Sequence, residues 1–150
     1  MAECSQTAWL SNSDYLSLFS RKTLQQRVPL SGSIDLTHRC NLRCGHCYVR
    51  SNASPRALER KELTTAQLVS LLDQVTEAGC LHLLLTGGEP LLRRDFAEVY
   101  RHAKTNGLLV TVFTNGTMVS EELLDLFSDL PPRQIEISLY GATPQTCERV

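Results

Sequence analysis

Four short strand-like runs, at residues 33–37, 81–86, 108–113 and 134–140, alternate with amphipathic stretches of helical period, the later ones about 25 residues apart. A strand, a helix and another strand in that order need a crossover, and a crossover makes the two strands parallel. The chain is therefore expected to be an α/β protein of about four βα units. Loops after such strands gather at one end of the sheet, where parallel α/β folds place their ligands. In the first run Ile34 and Leu36 share one face, while Ser33, Asp35 and Thr37 share the other. The fourth sets Ile135, Ile137 and Leu139 against Glu136, Ser138 and Tyr140. A closed eightfold barrel fills its interior with apolar side chains. Polar inner faces favour a wider, open barrel around a ligand. The second run is apolar enough to be buried on both faces.

Helix signals support this frame. Residues 13–26 read as a helix capped by Ser13, with Tyr15, Leu16, Phe19 and Leu24 as an apolar face covering one end of the domain. Thr64 and Gln67 form a capping box before Leu68, Leu71, Leu72 and Val75, and Gly79 ends that helix. Residues 95–106 bury Phe96, Val99, Tyr100 and Ala103 and stop at Gly107. Ser120 caps a helix with Leu123, Leu124 and Phe127 inward, closed by Pro131-Pro132, and Thr143-Pro144 opens one more. Residues 48–62 read as a loop whose Arg56, Arg60 and Lys61 form a solvated face. Residues 1–12 read as a polar tail. The domain reading is an N-terminal segment over 1–32 and a barrel over 33–150.

Composition narrows the function classes. Hydrophobic residues make up 42% of the 150 residues and charged residues 21%, which is globular. A net charge of −1 gives no electrostatic case for nucleic acid or an anionic membrane. No apolar run approaches a bilayer span, and no basic segment followed by an apolar one opens the chain, so a cytoplasmic protein is expected.

The chemistry is carried by Cys40-Asn41-Leu42-Arg43-Cys44-Gly45-His46-Cys47-Tyr48, directly after the first strand. Thiolates bind iron–sulfur clusters, and a four-iron cluster normally takes four protein ligands. Three leave one iron open to a small molecule. Of the other cysteines, Cys80 reads as a small buried apolar residue, and Cys4 and Cys147 carry no assignment. The second strand runs into Gly87-Gly88-Glu89-Pro90. Its glycines let a ligand approach the backbone, Glu89 offers an anion to an ammonium group, and Pro90 stiffens the exit.

Together these motifs resemble the radical S-adenosylmethionine (SAM) superfamily, with its Cys-x3-Cys-x2-Cys signature and an aromatic or His residue before the last Cys, here His46. The resemblance implies the N-terminal part of a partial (β/α)6 barrel. It implies a [4Fe-4S] cluster on Cys40, Cys44 and Cys47, whose open iron chelates the amino and carboxylate groups of SAM. Reductive cleavage then yields a 5′-deoxyadenosyl radical that abstracts hydrogen from substrate. Gly87, Gly88, Glu89 and Pro90 would hold the SAM amino group. Asn115, in the Thr114-Asn115-Gly116 turn after the third strand, would lie near the cofactor, and Ser138 would meet the SAM carboxylate. The local sequence looks like the subgroup with a C-terminal SPASM-type domain. That implies a peptide or protein substrate and an electron donor such as flavodoxin or ferredoxin. With four of six strands represented, the chain is expected to be part of a longer enzyme.

Two other readings use the same cysteines. An iron–sulfur electron carrier or scaffold would need no Gly-Gly-Glu-Pro stretch. A zinc-stabilised module could add His38 or His46 as a fourth ligand, although no second ligand knuckle follows.

Overall fold

The structure, a computed structural model, describes residues 11–49 and 52–147. Cys4 and the polar tail up to residue 10 lie outside the described residues, as do residues 148–150 of the last expected helix.

Strands β1 (Ser31–Thr37), β2 (His82–Gly87), β3 (Leu109–Thr114) and β4 (Gln134–Ile137) form one parallel sheet in sequential order. Register is continuous along the row Ile34, Leu85, Val112 and Ile135, which share one face. Leu83 and Leu85 of β2 and Val110 and Val112 of β3 are buried there. Against them pack α3 (Thr65–Glu77), through Leu68 and Leu72, and α4 (Phe96–Thr105), through Phe96, Val99, Tyr100 and Ala103. The opposite face carries Ser33, Leu84, Thr111 and Gln134 in one row, and none of them is fully buried. The second strand is thus buried mainly on one face: on the other, His82 and Leu84 are only half-buried, and Thr86 alone, beside the loops at the strand's end, is buried.

The capping signals act as expected. In the Thr64–Gln67 box the Gln67 amide donates to the Thr64 hydroxyl, and the Gln67 side chain accepts from the Thr64 N–H. Gly79 takes φ +92° after the helix, where a Cβ would press on Val28.

Several further expectations need correction. Helix α1 (Asn12–Gln26) is capped by Ser11 rather than Ser13, since the Ser11 hydroxyl accepts from the Asp14 N–H; its apolar face, Tyr15, Leu16, Phe19 and Leu24, is exposed. A short α2 (Pro55–Glu59) interrupts the stretch read as a loop, capped by Ser54 with proline in its first turn. In α5 (Glu121–Asp129) Leu124 points outward and Leu126 is buried, because the inward stripe runs Leu123, Leu126, Phe127 and Leu130. β4 ends at Ile137, so Ser138 and Tyr140 lie past the strand. Thr37 does not stay with Asp35 on a polar inner face. A bulge between the two breaks the alternation, and the buried Thr37 hydroxyl donates to Glu62.

Candidate metal and cofactor site

The cysteine loop leaves β1 and lies across the C-terminal ends of β1, β2 and β3. The loop after β2 holds it by main-chain bonds: Gly88 N–H donates to Thr37 O at 2.7 Å, and Glu89 N–H to Arg39 O at 2.8 Å. Gly87, at φ +133°, would bring a Cβ within 2.2 Å of Thr37 O, and a Cβ on Gly88 would lie 2.4 Å from Arg39 O. The clearance the glycines provide is therefore used by the chain itself. They let two loops touch backbone to backbone.

Glu89 differs most from its expected role. Its side chain is fully buried. Oε1 accepts from Leu91 N–H at 3.0 Å and from the Thr114 hydroxyl at 2.8 Å, while Oε2 accepts from Asn115 N–H at 2.7 Å. With three donors engaged and no accessible surface, this carboxylate ties the end of β2 to the end of β3 and does not face a ligand. Pro90, also buried, starts a 3-10 turn, Pro90–Leu92, behind the loop.

Cys40, Cys44 and Cys47 line two adjoining cavities. One, of about 550 Å³, opens over the sheet ends and is walled by Thr86, Gly87, Gly88, Phe113, Asn115, Thr117 and Ser138. His46 and Tyr140 also line it and meet edge to face with ring centres 4.4 Å apart. The other, of about 360 Å³, lies toward α2 and is lined by His38, Arg39, Arg43 and Leu58 among others. Most of the expected site residues thus converge. Cys40, Cys44, Cys47, His46, Gly87, Gly88, Asn115 and Ser138 all line the larger space, whereas Glu89 and Pro90 stand behind its wall.

Among the described residues no three His, Cys, Asp or Glu side chains converge tightly enough to hold one metal ion. His38 lies 3.8 Å from Asp35, and His46 packs on Tyr140. Three thiols spread around a cavity suit a polynuclear group better than a single ion, and soft thiolates select iron–sulfur clusters. The donor set fits a cluster.

Beneath the loop lies a network that the sequence reading missed. Glu62, the last residue of the stretch read as a loop, accepts from Thr37 and from Arg39 Nε at 2.8 Å and Nη2 at 2.9 Å. Arg93 Nη1 reaches the same carboxylate at 3.3 Å and also donates to Leu36 O at 3.0 Å. Its remaining donors meet Asp95 at 2.6 and 2.9 Å and Leu63 O at 3.0 Å. Burial pushes the Glu62 carboxyl upward, but the hydrogen bonds from Arg39 and Thr37 and the two guanidinium charges outweigh it and hold the group below its ordinary pKa. Asp95 is likewise pushed up by burial and brought below its ordinary value by Arg93 and Thr65. The Glu62 hydrogen bond, with the nearby carboxylates, raises Arg39. Arg56, Arg60 and Lys61, by contrast, are exposed as expected. Cys80 is buried beside the His82 carbonyl, and burial raises its thiol pKa.

Comparison with known proteins bears on the family and the fold. Residues 34–150 match the Radical SAM superfamily. A PqqA peptide cyclase from Xanthomonas oryzae pv. oryzae is 38% identical over 122 residues, covering 81% of this chain and 32% of the relative. The chain thus spans about a third of the length of the curated relatives it matches. Streptococcus suis SuiB bound to its precursor peptide SuiA superposes over 100% of this chain and 35% of its own, with a TM-score of 0.72 at 17% identity. SuiB bound to S-adenosylmethionine gives 0.70, covering 96% and 35%, also at 17% identity. At that identity the likeness shows a shared fold.

Proposed function

This chain belongs to the radical SAM superfamily, and from that premise we propose that it carries the cluster and SAM site of an enzyme acting on a peptide or protein. Cys40, Cys44 and Cys47 would hold a [4Fe-4S] cluster, leaving one iron for the amino and carboxylate groups of SAM. When bound, these groups supply one-electron reductive cleavage of the sulfonium and, through it, hydrogen abstraction from substrate. The observation that carries the reading is the convergence of three thiols and the Gly87-Gly88 backbone on one cavity of about 550 Å³.

The chain's own groups have distinct tasks. With Glu89 committed behind the wall, main-chain carbonyls near Gly87 and Gly88 would accept from the SAM ammonium. Ser138, across the cavity, would donate to the carboxylate, and the His46–Tyr140 pair would close its outer side. A peptide or protein substrate is supported by the relatives, named for a peptide cyclase and for a complex with a precursor peptide. Reduction would come from flavodoxin or ferredoxin, and the cytoplasm suits an oxygen-sensitive cluster. Among the described residues no helix is long and apolar enough to cross a membrane.

The test is anaerobic reconstitution followed by reduction and addition of SAM. A four-iron signal whose EPR spectrum changes with SAM supports the proposal. A cluster indifferent to saturating SAM would favour the electron carrier, and a colourless zinc protein the binding module.

A further inference from the structure

Two N–H groups, one local and one from far along the chain, approach the sulfur of Cys40. Asn115 Nδ2 lies 3.8 Å from Cys40 Sγ, bridging 75 positions of sequence, and Leu42 N–H approaches the same sulfur at 3.4 Å. The amide orientation follows from its neighbours. Asn115 Oδ1 accepts the backbone N–H of Thr117 at 2.9 Å, and a backbone N–H can only donate. The NH2 group must therefore face Cys40 and Asn41.

The remaining bonds close a ring with a single sense. Asn115 Nδ2 donates to Asn41 Oδ1 at 2.9 Å, Asn41 Nδ2 to the Thr117 hydroxyl at 2.7 Å, and that hydroxyl to Asn115 Oδ1 at 2.7 Å. Behind the ring, the buried Glu89 fixes the Asn115 main chain at 2.7 Å. A flexible amide on a turn is thus held in one pose, with an N–H pointed at a thiol.

We infer that Asn115 is a positioning residue that sets the redox poise of the cluster by hydrogen-bonding the Cys40 sulfur, an inference that rests on the cluster assignment above. Hydrogen bonds to cluster sulfurs are one of the levers on reduction potential. Reduction adds negative charge to the cluster and its thiolates, which an N–H donor stabilises, so the donor raises the potential. Asn41 and Thr117 act through the amide by holding it. Glu89 belongs to the same device, because the Gly-Gly-Glu-Pro stretch reaches Cys40 through Asn115.

The experiment is a redox titration, followed by EPR, of the reconstituted protein and of Asn115→Leu and Thr117→Val. Asn115→Leu should keep its iron content but lower the ratio of reduced to oxidised cluster about tenfold at a fixed potential, a shift of about 59 mV for one electron. Thr117→Val, which loosens the amide without deleting it, should shift the ratio the same way by a smaller factor. An Asn115→Leu ratio within twofold of the parent overturns the inference while leaving the cluster assignment intact. A parent that assembles no cluster overturns both. Should Asn115→Leu fail to assemble one, Thr117→Val decides, and an unmoved potential there overturns the inference.

Discussion

The guanidinium of Arg93 donates to the main-chain oxygen of Leu36 at 3.0 Å, across 57 positions of sequence. Leu36 ends the apolar face of β1, four residues before Cys40, so Arg93 braces the strand from which the cysteine loop springs. The same side chain is paired with Glu62 and Asp95. Removing one partner of a buried pair costs about 3–5 kcal/mol, because the other charge is left uncompensated. Arg93→Met should lower stability by about that amount, read from urea unfolding, and Arg39→Met, at the less buried end, should cost less.

The pH dependence of stability follows from the same network. Glu62 and Asp95 are both held below their ordinary pKa in the folded protein. Their contribution is fully present above the unfolded carboxylate values, near 4, and is lost as pH falls through the lower folded values. Unfolding midpoints should therefore drop as the medium is acidified below about pH 5. Glu62→Gln should flatten that slope, and a slope equal to the parent's would show that Glu62 contributes nothing to it.

Replacing any of Cys40, Cys44 or Cys47 by Ala should abolish the cluster absorbance after anaerobic reconstitution, whereas Cys80→Ala should leave it unchanged. Cys80 is buried away from the loop, beside the His82 carbonyl. A triple variant that still assembled the parent's cluster would defeat the assignment.

Gly88→Val should impair cluster assembly itself, and not SAM binding alone. Its Cβ would fall 2.4 Å from Arg39 O, so the cysteine loop would have to move. Overpacking of this kind costs about 1–3 kcal/mol. Iron content per chain is the readout, with Gly45→Ala as a comparison within the loop.

Leu126→Ala should cost about 2–5 kcal/mol, and Leu124→Ala should stay within about 0.5 kcal/mol of the parent. Leu126 is 1% exposed and Leu124 57%. Urea unfolding of the two variants checks which face of α5 is the core face.

The sheet was legible because alternating strands, capping boxes and glycine stops are local features with local causes, and strand–helix–strand succession favours parallel neighbours in sequence order. The Thr64–Gln67 box and the Phe96, Val99, Tyr100 and Ala103 stripe were both readable from period and spacing. The grouping of the three cysteines was legible because they lie within one short loop, and the structure sets all three on the same cavity. The site's wiring could not be read. An exposed Glu62 and a buried one have the same sequence neighbours, and the choice is made by Arg39 and Arg93, which arrive from other elements. The charge of Glu89 points it toward a ligand, but Thr114 and Asn115, brought alongside by β3, take the carboxylate inward. Ser54-Pro55 was a legible helix start that the charge of the surrounding segment obscured. Thr37 departs from the alternation because no periodicity announces a bulge.

The contact between Cys40 and Asn115 also bears on when the site comes into being. The ribosome adds roughly 5–20 residues per second, so the 75 positions between them take about 4–15 s to make. In the first half of that interval the thiols have been made, but β2 and β3, whose following loops brace theirs, have not. A nascent chain offers soft ligands to any passing thiophilic metal before it can offer a pocket. On the cluster assignment proposed above, loading with iron and sulfide would follow completion of the sheet, and until then the three thiols would stand open to other thiophilic metals.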